Sequence, residues 1–140
     1  MLFACSMNAI RSPMAAAILR FLAGRQIYVQ SAGVHAGEVD PFAVAVMDEI
    51  GIDITGHKPT AIDSLEDTSF DLIVTLAPEA HHKALEFTRT MAADVEYWPT
   101  LDPSAAAGSR EQILDTYRAV RDQLFARIKE RFSFIGAPQA

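Results

Sequence analysis

Short apolar runs alternate along this chain with stretches whose apolar residues recur every three or four positions, the pattern of strands interleaved with helices. Residues 2–4 read as a short apolar strand. Over 13–23, Met14, Ile18, Leu19 and Leu22 fall at helical spacing; Pro13 sits at the start and Gly24 closes the element. Residues 27–30 predict a second strand, ending at Ser31-Ala32-Gly33. Asp40 is placed to cap a helix over 41–50, with Phe42, Val46 and Ile50 on one face and Gly51 as its stop. Segment 52–69 is irregular, with a helical turn near 63–66. The continuous apolar run 71–76 has the character of a buried parallel strand. A helix over about 78–92, a fourth strand over 95–98 and a Pro/Ser/Gly-containing loop over 100–109 follow. The last helix, about 109–132, lines up Ile113, Tyr117, Val120, Leu124, Ile128 and Phe132.

Four strands alternating with helices predict the α/β class: three α/β/α layers around a four-stranded parallel sheet with right-handed connections. In such sheets the loops that follow the strands gather at the carboxyl edge, where ligands bind. Cys5, Ser31, the loop after Leu76 and Asp102 are thereby expected on one rim. The 140 residues fit one domain, 1–140, with a frayed tail over 133–140 and no repeat or linker.

Composition narrows the function classes. Half the residues are apolar and 21% are charged, the profile of a globular protein, and the net charge is −6. That balance disfavours a nucleic-acid or anionic-membrane partner, since both need a basic face. No window reaches the ~18 apolar residues of a membrane span. The first 24 residues lack a basic leader and are interrupted by Arg11, so they are not read as a signal peptide. The single cysteine excludes an internal disulfide and a four-cysteine zinc site, and suits a reactive thiol kept reduced in the cytoplasm. Because Met1 stands only four residues before Cys5, the first strand is short and the natural start is expected upstream.

That cysteine carries the chemistry. Cys5 ends the first strand and is followed by Ser6, Met7, Asn8, Ala9 and Ile10, then Arg11-Ser12-Pro13. An Arg six residues after a given Cys arises by chance roughly one time in twenty, so the spacing gains its force from lying between a strand and a helix start. Attack on a phosphate ester requires an ionised nucleophile, and a free thiol has a pKa of about 8.5. Just before a helix N-terminus, unpaired N–H groups and the dipole favour negative charge. The backbone of 6–11 can curl into a nest of amides around one anion. Arg11 adds a planar fork that matches two phosphate oxygens, and the Ser12 hydroxyl can donate to the thiolate. The same groups would hold the equatorial oxygens of a phosphoryl group under attack, with no metal or other cofactor. A phosphatase also needs a proton donor for its leaving group. Asp102 is the candidate, with Pro103 stiffening its loop.

These residues resemble the low-molecular-weight protein-tyrosine phosphatases, a family that shares its fold with one class of arsenate reductases. The likeness spans nearly the whole chain: Leu2-Phe3-Ala4-Cys5, Asn8, Arg11-Ser12-Pro13-Met14, Ser31-Ala32-Gly33, the segment from Gly51 through His57-Lys58, and Asp102-Pro103. It implies that Cys5 is the nucleophile, Arg11 the phosphate-binding and transition-state residue, and Asp102 the general acid and then base. It further implies that Ser12 stabilises the thiolate. Asn8 would hold a left-handed backbone position, which Asn tolerates, braced by Ser31 and His57.

The chain departs from the family pattern in four places. Met7 stands where a Gly is usual, so the loop must avoid a Gly-only conformation there or accept strain. Ile10 replaces a second cysteine that could protect Cys5 from overoxidation. Ser104-Ala105-Ala106 follow Asp102-Pro103 in place of tyrosines, and the loop after Gly33 carries no aromatic residue, so the phosphotyrosine-recognising wall is missing.

Three functions follow in order. The first is a phosphomonoesterase, acting on protein phosphotyrosine or a small phosphate ester through a phosphocysteine. The second is an arsenate reductase that uses an external thiol or glutaredoxin. The third is a catalytically silent phosphate- or phosphopeptide-binding module. A monomer or weak dimer in the cytoplasm is expected. His81-His82 is read as a solvated helix face, because adjacent helical positions diverge by ~100°. Trp98, Met14 and Met47 are read as packing residues, and Asp48, Asp53 and Asp63 as caps or turn residues.

Overall fold

The first strand, β1 (Leu2–Cys5), is buried along its whole length. Its pleat sends Phe3 and Cys5 to one core and Leu2 and Ala4 to the other. The structure, a computed structural model, describes residues 1–66, 69–90 and 92–133. β1 pairs in parallel with β2 (Gln30–Gly33) on one side and β3 (Leu72–Thr75) on the other, and β4 (Asp94–Tyr97) pairs outside β3. The strand order is β2-β1-β3-β4. The chain moves outward from β1 to β2, then returns to the other side of β1. The crevice at such a reversal is where open α/β sheets bind ligands, and Cys5 stands at its edge.

Helices cover both faces, as the alternating pattern predicts. α1 (Arg11–Ala23), α2 (Pro41–Asp48) and α4 (Arg110–Arg131) pack over the Phe3 face, and α3 (Pro78–Phe87) over the Leu2 face. Full burial of side chains such as Phe3, Met14 and Ile18 is worth about 1.5–3 kcal/mol each. The Asp40 carboxylate caps α2 through the amides of Phe42 and Ala43. Ser109 and Gln112 form a reciprocal capping box at the start of α4. Among the described residues no helix is long and apolar enough to cross a membrane.

Several boundaries differ from the sequence reading. α1 begins two residues earlier, at Arg11: Pro13 still falls in the first turn, where its missing N–H costs nothing. The second strand lies at Gln30–Gly33 rather than 27–30, because β1 pairs Leu2 with Gln30 through to Cys5 with Gly33. Ser31 is therefore inside the strand. The apolar residues before it only lead in, with Val29 buried and Tyr28 exposed, its carbonyl accepting from the N-terminal ammonium at 2.6 Å. α3 ends at Phe87 and passes into a 3-10 turn over Thr88–Thr90, short of the expected 92. β4 starts one residue early. The tail expected to fray lies, beyond Ser133, outside the described residues.

His81 is the clearest correction among the side chains. Expected in solvent, it is half-buried, stacks on Tyr97 at 4.7 Å and sits 3.0 Å from the Thr75 hydroxyl. The edge strand β4 supplies a ring for it to lie on. Its neighbour His82 is exposed, 3.7 Å from Glu86.

α2 and α4 are joined by an ion network in which Arg118 and Arg121 share Glu49. Hydrogen bonding from Arg118, above all, lowers the Glu49 carboxyl from 4.5 to about 2. The folded chain therefore binds this proton less readily than the unfolded chain. The stability Glu49 adds is present above about pH 4.5 and is lost as pH falls towards about 2. Urea unfolding of Glu49→Gln followed through this acid range should show a shallower decline than the parent chain. Equal declines would remove Glu49 from the acid response.

Candidate active site

Between Cys5 and α1 the backbone turns its carbonyls outward, one after another. The Cys5 carbonyl accepts from the Val34 amide at 3.0 Å, Ser6 from His35 at 2.9 Å and Met7 from Gly37 at 2.8 Å. Asn8 accepts from the His57 ring at 3.0 Å, and Ala9 from the Asp40 amide at 3.2 Å. With five consecutive acceptors committed to the loop's outer side, the amides are left to the inner side. Among the described residues no protein acceptor takes the N–H of residues 6–10. α1 begins there with Ile10 as its N-cap, and no side chain caps it. Convergent amides and the positive end of a 13-residue helix meet in one place, the arrangement that favours an anion.

Asn8 is the pivot of the loop. It is fully buried and is the only non-glycine residue with positive φ among those described, at 53°. Asn is enriched in this left-handed region, where other side chains are disfavoured. Its side-chain amide donates to Ser12 Oγ at 2.8 Å and to Ser31 Oγ at 3.0 Å, and its Oδ1 accepts from the Thr60 amide at 2.9 Å. The carbonyl of Asn8 can only accept, so His57 bears its proton on Nε2. Burial lowers the His57 pKa, the hydrogen bond to Asn8 opposes this, and the Arg20 charge lowers it further. His57 is thus neutral near pH 7 and remains a donor.

Met7 takes the position without a left-handed conformation. The expected strain is avoided, and the Met7 side chain lies half-exposed against Gly37. The glycine this loop does require is Gly33. A Cβ there would stand 2.6 Å from the Asn8 nitrogen and 2.8 Å from the Met7 carbonyl carbon.

Cys5 is buried at the floor of this cradle, its Sγ 2.9 Å from Ser12 Oγ. The Ser12 oxygen accepts from Asn8, and its single proton faces both Cys5 Sγ and the Ala32 carbonyl, 3.3 Å away. When the sulfur is ionised the hydroxyl turns to it; when protonated, the thiol can donate and the hydroxyl can turn to Ala32. Arg11 is 7% exposed, with Nη1 donating to the Thr100 carbonyl at 3.0 Å and Nη2 3.4 Å from Ser6 Oγ and 3.8 Å from Asp102 Oδ2.

Asp102 is half-exposed and caps a single 3-10 turn, Pro103–Ala105, by accepting from the Ser104 amide at 2.9 Å. Burial raises its pKa, but the Ser104 amide and hydroxyl and the Arg11 charge outweigh this, and the net shift is downward. The carboxyl is therefore ionised near neutral pH. Pro103 is buried beneath it. A cleft of about 250 Å³ opens over these groups, lined by Cys5, Met7, Ala9, Ile10, Arg11 and Asp102 on the expected side. Among the described residues no group of three His, Cys, Asp or Glu could hold a metal ion.

Comparison with known proteins bears on this geometry. The family described as "Low molecular weight phosphotyrosine protein phosphatase" matches residues 1–133. The chain belongs to this family. Among curated relatives, it is 35% identical over 128 residues to the arsenate reductase of Bacillus subtilis, covering 91% of each chain. It is 30% identical over 129 residues to the glutaredoxin arsenate reductase of Synechocystis, covering 91% of this chain and 92% of that one. Among solved structures, an arsenate reductase in the phosphate binding state superposes with a TM-score of 0.79 at 29% identity, covering 96% of both chains. The low molecular weight protein tyrosine phosphatase of T. tengcongensis superposes at 0.77 and 25% identity, covering 95% and 97%.

In this phosphatase-family chain the expected site residues come together: Cys5, Ser12 and Arg11 around the loop, Asn8 with Ser31 and His57 behind it, and Asp102 and Pro103 across the cleft. Sequence reasoning missed Thr60 and Thr100, which act through a backbone amide and a carbonyl and so leave no side-chain signature. It also missed Glu38 and Asp40 on the cleft wall. Asp40 was legible only as a cap. Its second oxygen accepts from Tyr117 at 2.9 Å, tying the cleft wall to α4.

Because Gly33 lies under the loop, Gly33→Ala should push the backbone of Met7 and Asn8 inward. Overpacking of this kind costs about 1–3 kcal/mol, readable as a lowered urea midpoint together with weaker binding of an oxyanion such as tungstate. An alanine variant with parental stability and tungstate affinity would show that the close approach imposes nothing.

Proposed function

We propose that this chain is a metal-independent phosphatase that hydrolyses phosphate monoesters through a phosphocysteine intermediate, with protein phosphotyrosine as the substrate the family points to. The observation that carries this reading is the outward commitment of five consecutive carbonyls around one cysteine sulfur. Cys5 Sγ, as thiolate, attacks phosphorus in line and forms an S–P bond while the ester P–O bond breaks. The amides of residues 6–11 and the Arg11 fork take the charge on the three equatorial oxygens. Asp102 supplies the proton to the departing oxygen. Water then attacks the S–P bond, gives its proton to Asp102 and regenerates the thiolate, releasing inorganic phosphate.

Asp102 must gain a proton to play this part, and the free chain holds it ionised. A phosphate dianion in the cradle draws the Arg11 charge to itself and places negative charge near the carboxyl. Both changes favour protonation. A phenol leaving group would rest on Met7 and Ala9, which stand on the wall in place of aromatic rings.

A second reading, arsenate reduction, is favoured by the names of the curated relatives. Reducing arsenate to arsenite takes two electrons from thiols, and this chain has one cysteine, buried at the cleft floor. A small external thiol or glutaredoxin would have to reach that sulfur after it reacts. Phosphoryl transfer needs only water there, which is why the phosphatase reading stands first.

Steady-state assays on nitrophenyl phosphate, phosphotyrosine peptides, small phosphate esters and arsenate with glutathione and glutaredoxin separate the readings. Phosphate release is expected, reduced by on the order of 10⁴-fold or more in Cys5→Ser. Arsenite formation without phosphate release would overturn the assignment, as would phosphate binding with no turnover.

Asp102→Asn should lower kcat for phenyl phosphate by about 10²–10⁴-fold, and for nitrophenyl phosphate, whose leaving group needs no proton, far less. Equal losses on the two esters would take the acid role away from Asp102.

A further inference from the structure

The three groups that brace Asn8 from outside also wall a second hollow. Ser31, His57 and Thr60 line a space of about 500 Å³ that shares no wall residue with the cleft over Cys5. Arg20 and Lys58 stand on its sides, and Glu66 is the one carboxylate among its described lining residues. In a chain of net charge −6, the described lining sets two cations against one anion, a locally positive balance. Arg20 is held by a 2.7 Å hydrogen bond from Nη2 to the Val29 carbonyl, which fixes the guanidinium. Neither Arg20 nor Lys58 takes part in an ion pair among the described residues. Tyr28, Gln30 and Ser64 add polar side chains to the same wall. Past Arg20 and His57 a neighbouring hollow carries Asp53, whose Oδ1 accepts from both the Thr55 amide and hydroxyl.

We propose that this hollow binds a small, multiply charged oxyanion between Arg20 and Lys58, and that its occupation steadies the loop around Cys5 through His57. The shared chemistry is that of a polycarboxylate or a phosphorylated small molecule. Burial first, and the Arg20 charge after it, oppose protonation of the neighbouring imidazole, and an anion here offsets the Arg20 part. The ring then takes its second proton on Nδ1, while Nε2–H stays on the Asn8 carbonyl. A charged donor makes the stronger hydrogen bond, so the one left-handed residue of the loop is held more firmly. By linkage, an oxyanion over Cys5 and an anion in the hollow should each tighten the other's binding by the same factor. The binding itself is independent of the phosphatase reading; only its effect on the cleft rests on that reading.

The test titrates citrate and, separately, pyrophosphate into the full-length chain in the presence of tungstate, which occupies the cradle. NMR follows the His57 ring resonance and its pH titration. A saturable shift is expected, with the His57 midpoint moved upward by the anion and tungstate affinity raised by about fivefold. Saturation by citrate alone identifies a polycarboxylate site, and saturation by pyrophosphate alone a site for phosphorylated ligands; either supports the proposal. Lys58→Gln should weaken the anion by about two- to fivefold, the range of one exposed charge. Its turnover of nitrophenyl phosphate without added anion should stay at the parental value. Arg20→Gln should act in the same direction, and where it lowers stability Lys58→Gln carries the test alone. If citrate moves His57 while tungstate fails to bind, the hollow stands and the reading of the cleft falls. If neither anion moves His57, or if Lys58→Gln leaves the affinity unchanged, the proposal is overturned.

Discussion

Peptide groups cannot point both ways at once, and the loop after Cys5 exploits this. A carbonyl held on one side of a turn leaves its amide to the other. Here five carbonyls in succession are held on the outer side by Val34, His35, Gly37, His57 and Asp40. An inward ring of amides is the consequence, and protein groups alone hold it in place. Preorganisation of that kind is what makes donors effective against charge developing in a transition state. The features around it serve the same end: the left-handed Asn8, the bare Cα of Gly33 and the uncapped start of α1.

The remaining chemistry is arranged around that ring by the sheet. β1 delivers Cys5 to the carboxyl edge, and the reversal of strand order opens the crevice there. β3 and β4 bring up the chain that carries Thr100 and Asp102. Arg11 sits between the two systems, rooted in the first turn of α1 and tethered to the Thr100 carbonyl. Its tether holds the guanidinium 3.8 Å from the Asp102 carboxylate, in the cleft that Cys5 also lines. The cleft wall differs from a purely apolar slot: Glu38 and Asp40 stand on it with the half-exposed Met7. Substrate choice is expected to follow those three residues more than the cradle.

Much of this was legible in the residues, for identifiable reasons. Strand and helix alternation was clear because the apolar periods are strong, and the four-stranded parallel sheet follows from it. Cys5, Arg11 and Ser12 were legible because reactive side-chain types stand at close spacing between a strand and a helix start, and Asp102 because its loop follows the fourth strand and so reaches the same rim. Topology put Ser31 on the rim, but the bracing of Asn8 by Ser31 and His57 came only through family resemblance, since no local rule ties residues 23 and 49 positions apart. What escaped was set by backbone groups or by tertiary register. Thr60 and Thr100 contribute an amide and a carbonyl, which any residue could offer. The second strand was misplaced because the more apolar residues 27–29 outweighed Ser31-Ala32-Gly33, whose small size is demanded by the loop above and not by strand propensity. His81 was misjudged for a similar reason: the Tyr97 ring that shelters it is sixteen residues away.

The family's two chemistries meet the same cradle, and the difference between them lies in what reaches the sulfur afterwards. The chain has a single cysteine, so on the reading proposed above water takes the place that a second thiol would have to fill. The central claim, though, precedes that choice: the inward amides and Arg11 enclose a tetrahedral oxyanion directly over Cys5 Sγ. A crystal structure of the chain soaked with vanadate tests it most directly. The account predicts vanadium bonded to or resting on the sulfur, its equatorial oxygens on the amides of residues 6–11 and on the Arg11 guanidinium, and Asn8 still left-handed. A cradle without vanadate, with Arg11 still on Thr100 and the loop amides turned to solvent, would contradict it.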